Sequence, residues 1–270
     1  MTAGVVVIPA RRSAYAGEAR AEERAVPVET PIAIEINGIA YAVMMATPCD
    51  LEDFVTGFLL SEGLAHPDEI GPVSLHPVEA GEGYVARVNL PAERLAPIME
   101  RARRRLGDSS CGICGIESVE AALRPLPQIS ATSLASPEAI RTALGNMRER
   151  QLLGHLTAAT HAAAFARPDG VILALREDVG RHNALDKLIG ALARSDTRAA
   201  DGFMLVTSRC SYELVEKTAR AGCPLLVAIS APTDLAVRRA QAAGLSLAVV
   251  ARDDSMLWVT GPKLEVVDGL

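Results

Sequence analysis

Aromatic residues are scarce in this chain of 270 residues, at 3% of the sequence. So few rings leave little basis for a single-strand nucleic-acid surface built on base stacking. The sequence also lacks an excess of positive charge, because its formal net charge is -6 at pH 7. A general nucleic-acid binder needs a basic surface for its phosphate contacts. We therefore expect no nucleic acid among the partners of this protein.

Long apolar runs are missing as well. None reaches the roughly 18 residues of a membrane helix, and residues 1–24 lack the charged-then-apolar order of a secretory signal. The five cysteines are an odd number, which does not suit a disulfide scaffold. We expect a cytoplasmic protein without a membrane segment. What the chain does have is a hydrophobic content of 49%, which is enough for a sizeable core.

The pattern of apolar residues divides the chain into three regions. Residues 1–24 are predicted to form an exposed arm. Residues 25–108 predict a small α+β domain, because alternating apolar segments flank an apolar helix pattern. Residues 109–270 begin with a Cys-x-x-Cys segment and then alternate strands with helices, which is typical of a mostly parallel sheet covered on both faces. The predicted fold class is α/β, with a smaller N-terminal α+β unit.

Local signals predict where several elements turn or begin. The pair Asn37-Gly38 is suited to a two-residue hairpin turn. Asp50 and Ser136 are expected to cap the helices that follow them. Asn183 is expected to cap a later helix in the same way.

Two cysteines, Cys111 and Cys114, stand in a glycine-rich polar segment, an unusual setting for cysteines that only fill a core. A thiol is reactive as the thiolate, and a helix N-terminus or nearby cations lower its pKa. Residues 116–123 predict a helix and residues 101–105 are rich in arginine, so both conditions are expected here. The spacing fits a redox dithiol, half of a metal site or a sulfur carrier, and does not decide among them.

Zinc and thioredoxin chemistry are less favoured explanations of this pair. A structural zinc ion needs about four ligands, and Cys49, Cys210 and Cys223 form no second short-spaced pair. The zinc deaminases use a His-x-Glu motif ahead of Pro-Cys-x-x-Cys, and this chain has neither. A thioredoxin-like enzyme would place the pair directly after an early strand, whereas an arginine-rich segment precedes it. We expect no metal ligands.

Three polar segments follow predicted strands at the points where helices begin. They are residues 177–187, 207–213 and 230–233. Ligands of open parallel sheets bind beyond the carboxyl ends of the strands, and helix N-termini favour phosphates. Because three such segments come from one predicted sheet, they indicate a ligand cleft more strongly than any of them alone.

The candidate ligand residues of the cleft carry positive charge or hydrogen-bonding groups. In the first segment Arg181, His182 and Lys187 suit a phosphate, and Asp186 suits a guanine ring. Asn183 belongs to the same helix start. The expected cleft residues outside this segment are His161, Ser208 and Arg209.

Five motifs occur together along most of the chain. They are Gly57–Gly63, Cys111–Gly115, Asp178–Lys187, Arg209–Glu213 and Ser230–Thr233. On these motifs the chain resembles the formate dehydrogenase accessory sulfurtransferases, the FdhD family. The resemblance covers about residues 29–262, and the run 181–187 is its most specific part.

The resemblance implies a mixed sheet covered by helices, similar to cytidine deaminase without its zinc site, and a homodimer. It also implies a sulfur relay. A cysteine desulfurase would donate sulfur to Cys111 as a persulfide, with Cys114 as its partner thiol. The sulfur would then pass to bis-molybdopterin guanine dinucleotide, the molybdenum cofactor that formate dehydrogenase receives.

The resemblance further implies that a segment near the C-terminus binds the cofactor. This segment comprises Val250, Ala251, Arg252, Asp253, Asp254 and Ser255. The family pattern has an aromatic residue first and a basic residue last, where this chain has Val250 and Ser255. Acidic Asp253 and Asp254 stand where glycines are common. GDP or GMP is a candidate partial ligand of the cofactor site.

Two other functions stay open at this point. The first is a non-catalytic chaperone that only holds the molybdenum cofactor or a guanine nucleotide. The second is a dithiol oxidoreductase that uses the cysteine pair. The glycine-flanked pair favours the sulfur relay over the chaperone.

Overall fold

The computed structural model describes residues 3–78, 82–104 and 125–261. These residues form a two-stranded hairpin, a four-stranded sheet and a six-stranded sheet. Within them, no helix is both long and apolar enough to cross a bilayer. Cys111 and Cys114 lie outside the described residues.

The exposed arm expected over residues 1–24 contains most of a two-stranded hairpin. Strands β1 (Val5–Arg12) and β2 (Arg20–Pro27) pair antiparallel over eight residues. Most of their side chains are exposed. With no face fully buried, the strands lack the apolar alternation by which a strand is recognised in a sequence.

The four-stranded sheet has the order β4-β3-β6-β5. Its strands are β3 (Thr30–Ile36), β4 (Ile39–Ala46), β5 (Ser74–Pro77) and β6 (Tyr84–Val88). The Asn37-Gly38 turn is confirmed, since both residues have the positive φ angles that a tight hairpin needs, 50° and 77°. The isoleucines of β3 alternate into a core shared with helix α1 (Leu51–Ser61), and α2 (Leu95–Arg104) follows.

The six-stranded sheet has the order β12-β11-β10-β9-β7-β8. Its strands are β7 (His161–Ala166), β8 (Ile172–Asp178), β9 (Phe203–Val206), β10 (Leu225–Ala228), β11 (Ser246–Val249) and β12 (Leu257–Thr260). Strands β9, β10 and β11 are parallel, whereas β7, β8 and β12 run antiparallel to their neighbours. The sheet is therefore mixed, as the resemblance implies, and the expectation of a mostly parallel sheet is wrong. The alanine-rich β7 has too little β-propensity to be recognised in the sequence.

Five further helices follow, and four of them cover the two faces of this sheet. They are α3 (Pro137–Arg150), α4 (Leu152–Thr157), α5 (Arg181–Ala193), α6 (Tyr212–Arg220) and α7 (Asp234–Ala243). Helices α5, α6 and α7 contribute to the core on one face, and α3 contributes to the core on the other. The likeness to cytidine deaminase stays a prediction.

The predicted helix caps have mixed outcomes. Ser136 caps α3 as expected, since its side chain accepts from the backbone N–H of Ala139 at 3.1 Å. Asp50 stands at the cap position of α1, but its side chain makes no capping hydrogen bond. The prediction for Asn183 is wrong, because Gly180 is the cap residue of α5. The Asn183 amide is used in a tertiary contact described below.

Helices α1 and α5 touch each other backbone to backbone. A Cβ atom added at Gly57 would lie 1.7 Å from the carbonyl oxygen of Asp186, and one added at Gly190 would lie 1.9 Å from that of Asp53. Both distances are far below van der Waals contact, so this approach requires glycine. Arg194 Nη1 donates to Asp53 Oδ1 at 2.5 Å and stabilises the same contact. The two glycines thus join the N-terminal unit to the six-stranded sheet.

Gly190→Ala is expected to destabilise the protein by about 1–2 kcal/mol. Overpacking a tight contact costs about 1–3 kcal/mol, which exceeds the gain of up to about 1 kcal/mol that alanine brings to a helix interior. Urea unfolding followed by circular dichroism measures the difference. The matched control is Gly145→Ala in α3, where nothing lies within 4 Å of an added Cβ. Equal stability of the two variants would contradict this account of the helix contact.

Candidate functional site

The predicted polar segments meet at one end of the strands of the six-stranded sheet. Backbone hydrogen bonds join them, because Cys210 N donates to Ala231 O at 3.2 Å and Val250 N donates to Ser230 O at 3.3 Å. Thr233 N donates back to Cys210 O at 3.0 Å. We call this end of the sheet the strand-end site and define it as residues 178–182, 207–213, 229–233 and 250–255 with His161. The contacts between these segments confirm the expectation that they adjoin one another.

The antiparallel strands β7 and β8 bring His161 and Asp178 to the same end of the sheet. The two residues face each other in the β7–β8 register. Thr207 fixes the start of β7 to the end of β9, because its Oγ1 accepts from Ala162 N at 2.9 Å. Burial and the positive charge of Arg181 lower the pKa of His161. His161 is therefore neutral at pH 7.

The first turns of α5 and α6 present buried polar atoms to each other. His182 Nε2 and Glu213 Oε2 lie 3.9 Å apart. These two atoms and Ser211 Oγ are buried with no hydrogen-bond partner among the described residues. Buried polar atoms normally have a partner, so this group marks the polar part of the site. Burial, with help from Arg181 and Lys217, lowers the pKa of His182 to about 4 and keeps its imidazole neutral.

Two arginines of the site have charge available for a ligand. Within the described chain, the guanidinium groups of Arg181 and Arg209 have no hydrogen-bond or ion-pair partner. Arg209 is exposed and Arg181 half-buried. Ser208, the predicted neighbour, is buried and donates to the carbonyl oxygen of Arg209 at 3.0 Å. The site thus combines two guanidinium groups that have no protein partner with buried hydrogen-bonding groups.

The segment 250–255 forms a turn at the end of β11. Its backbone closes through Arg252 N donating to Ser255 O at 2.8 Å, and Ala251 is buried. Arg252 Nη1 donates to the carbonyl oxygens of Ile229 and Ala251, so this guanidinium binds the loop itself. Val250 adopts a positive φ of 50°. Asp254 and Ser255 are exposed, and exposed Asp253 pairs with Arg148 of α3.

Lys187 and Asn183 lie behind the site and contact the N-terminal unit. Lys187 has no exposed surface, and its Nζ lies 2.7 Å from Asp178 Oδ2 and donates to Thr47 O at 2.9 Å. Asn183 Nδ2 donates to Met45 O at 2.8 Å and to Asp178 Oδ1 at 3.0 Å. Direct cofactor contact by these two residues stays a prediction. The contacts described here give them a positioning role.

Asp186 is held in the same way by a second buried ion pair. Lys217 Nζ donates to Asp186 Oδ1 at 2.9 Å, and Ser61 Oγ donates to the same oxygen at 2.6 Å. Burial raises the pKa of Asp186. Burial also disfavours charged Lys217, but the carboxylates of Asp186 and Glu62 outweigh that effect and raise its pKa. The predicted contact of Asp186 with guanine stays a prediction, and its carboxylate is engaged by protein groups.

Several residues of the site and of its supporting contacts were not predicted from the sequence. Ser211 and Glu213 belong to the motif Arg209–Glu213, which was a usable signal. Thr47 and Lys217 are paired with residues 140 and 31 positions away. No local pattern in the sequence could reveal those pairings.

The cysteines within the described residues are poor nucleophiles. Burial raises the pKa of both Cys210 and Cys223 to about 12. Burial also raises the pKa of half-buried Cys49. A thiol in this state carries almost no thiolate at neutral pH. Across residues 3–78, 82–104 and 125–261, no cluster of three His, Cys, Asp or Glu side chains is arranged to hold a metal ion.

Lys187→Met is expected to destabilise the protein by about 3–5 kcal/mol, because it leaves the buried carboxylate of Asp178 unpaired. The double variant Lys187→Met, Asp178→Asn should be more stable than the single variant. Chemical unfolding of the wild type, the single variant and the double variant measures their free energies of unfolding. A Lys187→Met protein of unchanged stability would instead favour a role of Lys187 in ligand contact alone.

Several known proteins are similar to this chain. The model of the FdhD/NarQ family matches residues 27–264. The "Sulfur carrier protein FdhD" of Xanthomonas campestris pv. campestris (strain B100) is 45% identical over 261 residues, which are 96% of this chain and 92% of that protein. The protein of the same name from Variovorax paradoxus (strain S110) is 45% identical over 240 residues, 88% of this chain and 85% of that protein.

A solved structure adds a comparison of the fold. It is described as a formate dehydrogenase accessory protein from Desulfotalea psychrophila, with 22% sequence identity and a TM-score of 0.75. The match covers 96% of this chain and 98% of that one. At this identity the likeness concerns the fold alone. The family match and the relatives each span most of the sequence, and the chain therefore belongs to the FdhD/NarQ family.

Proposed function

We propose that this protein is a sulfur carrier that loads sulfur on Cys111 as a persulfide and passes it to bis-molybdopterin guanine dinucleotide for formate dehydrogenase. The main support is the strand-end site, where unpaired arginines and unpartnered polar atoms adjoin one another. The relatives that are 45% identical bear the name of sulfur carriers, which agrees with this role.

The loading step is a thiol exchange without net oxidation. The Cys111 thiolate attacks the outer sulfur of a persulfide on a cysteine desulfurase. The sulfur–sulfur bond of the donor breaks, and the donor cysteine leaves as a thiolate. Cys114 is the nearby thiol suited to assist release of the sulfur by a further exchange. The raised pKa values of Cys49, Cys210 and Cys223 support assigning this chemistry to the pair.

The cargo suits the strand-end site through its phosphates and its guanine rings. Phosphates are attracted by the guanidinium groups of Arg181 and Arg209 and by the N-termini of α5 and α6. The neutral imidazole of His182 suits a hydrogen bond to a base or ribose better than a salt bridge. The local cations offset the net charge of -6 carried by the whole chain. GDP or GMP is accordingly the partial ligand we propose for binding tests.

The partners in this proposal are a cysteine desulfurase as the sulfur donor and formate dehydrogenase as the recipient of the cofactor. A homodimer is the proposed assembly. The formate dehydrogenase link follows the description of the structural neighbour and the family name. The donor enzyme and the dimer rest on the resemblance of the motifs.

A cofactor-holding chaperone without sulfur chemistry is the second candidate. It is favoured by one observation, because the groups of the strand-end site come from residues far from the cysteine pair in sequence. The dithiol oxidoreductase receives no such support. Persulfide loading separates the two candidates that remain.

Cys111→Ala is expected to abolish persulfide loading. After incubation with a cysteine desulfurase and cysteine, intact-mass spectrometry should show a reducible gain of one sulfur atom on the wild type. The variant should show no gain, because the attacking thiolate is gone. Cys49→Ala is the matched control and should load normally. Loading on the Cys111→Ala protein would overturn the assignment of the persulfide cysteine.

Arg209→Gln is expected to weaken GDP binding by roughly tenfold, since a hydrogen bond to a charged group is worth about 1.5–3 kcal/mol. Isothermal titration calorimetry with GDP measures the dissociation constant. Arg198→Gln, an exposed arginine outside the site, should bind as the wild type does. Unchanged binding in the Arg209→Gln protein would place the nucleotide elsewhere, whereas its persulfide loading should stay normal in either case.

A further inference from the structure

The outer edge of strand β1 carries unpaired backbone groups whose identity follows from one hydrogen bond. Val28 N donates to Gly4 O at 2.8 Å, which makes Gly4 and Val28 a hydrogen-bonded pair. Such pairs alternate along an antiparallel ladder. In the register of β1 and β2, Val5, Val7 and Pro9 therefore turn their backbone groups away from β2.

The two prolines of the hairpin agree with this assignment. Proline has no N–H and is tolerated where its nitrogen faces away from the ladder. Pro9 pairs with Glu23, and Pro27 pairs with Val5, so both prolines stand in the outward-facing class. The outer edge of β1 thus offers the N–H groups of Val5 and Val7 and the carbonyl oxygens of Val5, Val7 and Pro9.

The same edge exposes apolar side chains. Val6, Val7 and Ile8 are 45%, 55% and 41% exposed. Edge strands are usually protected by charges, bulges or a covering element, but the run Val5–Ile8 carries no charge. The hairpin is a two-stranded sheet within the described chain, and such sheets are marginally stable alone. These features are those of a strand built to pair with another strand.

We propose that β1 pairs antiparallel with β1 of a second copy of this chain, about a two-fold axis at Val7. Val7 then faces Val7 of the second copy, and the two residues exchange both of their backbone hydrogen bonds. Val6 faces Ile8, and Val5 N–H donates to the carbonyl oxygen of Pro9. The two hairpins become one four-stranded antiparallel sheet with the same surface on both partners, as an isologous dimer requires.

The charges of the hairpin favour this register and a second copy of the chain as the partner. The basic residues of β1, Arg11 and Arg12, lie at its far end. With the axis at Val7, the two copies of Arg11 are separated by about 27 Å at roughly 3.4 Å per residue. A two-fold axis shifted toward Pro9 would bring these like charges together. The apolar run is self-complementary about Val7, so a second copy fits the edge without any other partner. This inference rests on the homodimer of the proposed function and names its surface, but it does not depend on the sulfur transfer.

The oligomeric state of the full chain tests the interface. Size-exclusion chromatography with multi-angle light scattering should give a dimer for the wild type. Val7→Lys should shift the dissociation constant at least tenfold toward monomer, because it places two like charges on the axis. Val43→Lys on β4, where the side chain is 65% exposed, is the matched control and should stay dimeric. A Val7→Lys protein that dimerises as the wild type does would overturn this interface alone, whereas a monomeric wild type would overturn the proposed homodimer together with it.

A crosslink tests the register even if Val7→Lys unfolds the hairpin. Hydrogen-bonded antiparallel pairs have Cα atoms about 5.5 Å apart, which is within the range that a disulfide spans. In a background with Cys49, Cys111 and Cys114 changed to serine, Val7→Cys should form a disulfide-linked dimer under mild oxidation. Arg12→Cys, on the same strand but far from the axis, should not. Crosslinking of the Arg12→Cys protein but not the Val7→Cys protein would refute a two-fold axis at Val7.

Discussion

The backbone contact between α1 and α5 is the constraint on which the candidate site depends. Helix α5 begins at the strand-end site, so its position sets where Arg181 and His182 lie. That position is fixed by a helix of the N-terminal unit, because Gly57 and Gly190 let the two backbones meet. The site is therefore assembled by two parts of the chain, although its polar groups come mainly from one sheet.

The run 181–187 shows why a specific motif need not be a list of ligand contacts. Arg181 and His182 stand in the first turn of α5, at the strand-end site. One turn later, Asp186 and Lys187 are buried in ion pairs with Lys217 and Asp178. Their hydrogen bonds with Ser61 and Thr47 bind the helix to the N-terminal unit. A buried ion left without its partner is costly. The later residues of the motif are thus constrained by packing against the N-terminal unit.

Much of the fold could be predicted from the sequence, because its signals are local. The Asn37-Gly38 turn, the Ser136 cap and the polar segments after strands follow from turn chemistry and from the geometry of parallel strands. The exposed hairpin and the alanine-rich β7 could not be recognised, since neither has a buried alternating face of strong strand formers. The pairing of Ser61 with Asp186 spans 125 positions and depends on tertiary structure alone.

A sulfur carrier has to combine a fixed binding site for its cargo with a thiol that reaches both donor and acceptor. Hydrogen bonds between its loops hold the strand-end site together. After the cysteine segment, the chain re-enters beside the C-terminal end of α7, where Ile129 N donates to Ala243 O at 2.9 Å. That anchor lies near the N-terminal ends of the parallel strands, opposite the strand-end site. A stretch as long as residues 111–125 spans at most about 50 Å when fully extended, which exceeds the length of the short strands β9 to β11. The length of the sequence therefore agrees with the proposed transfer from Cys111 to a cargo at the strand-end site.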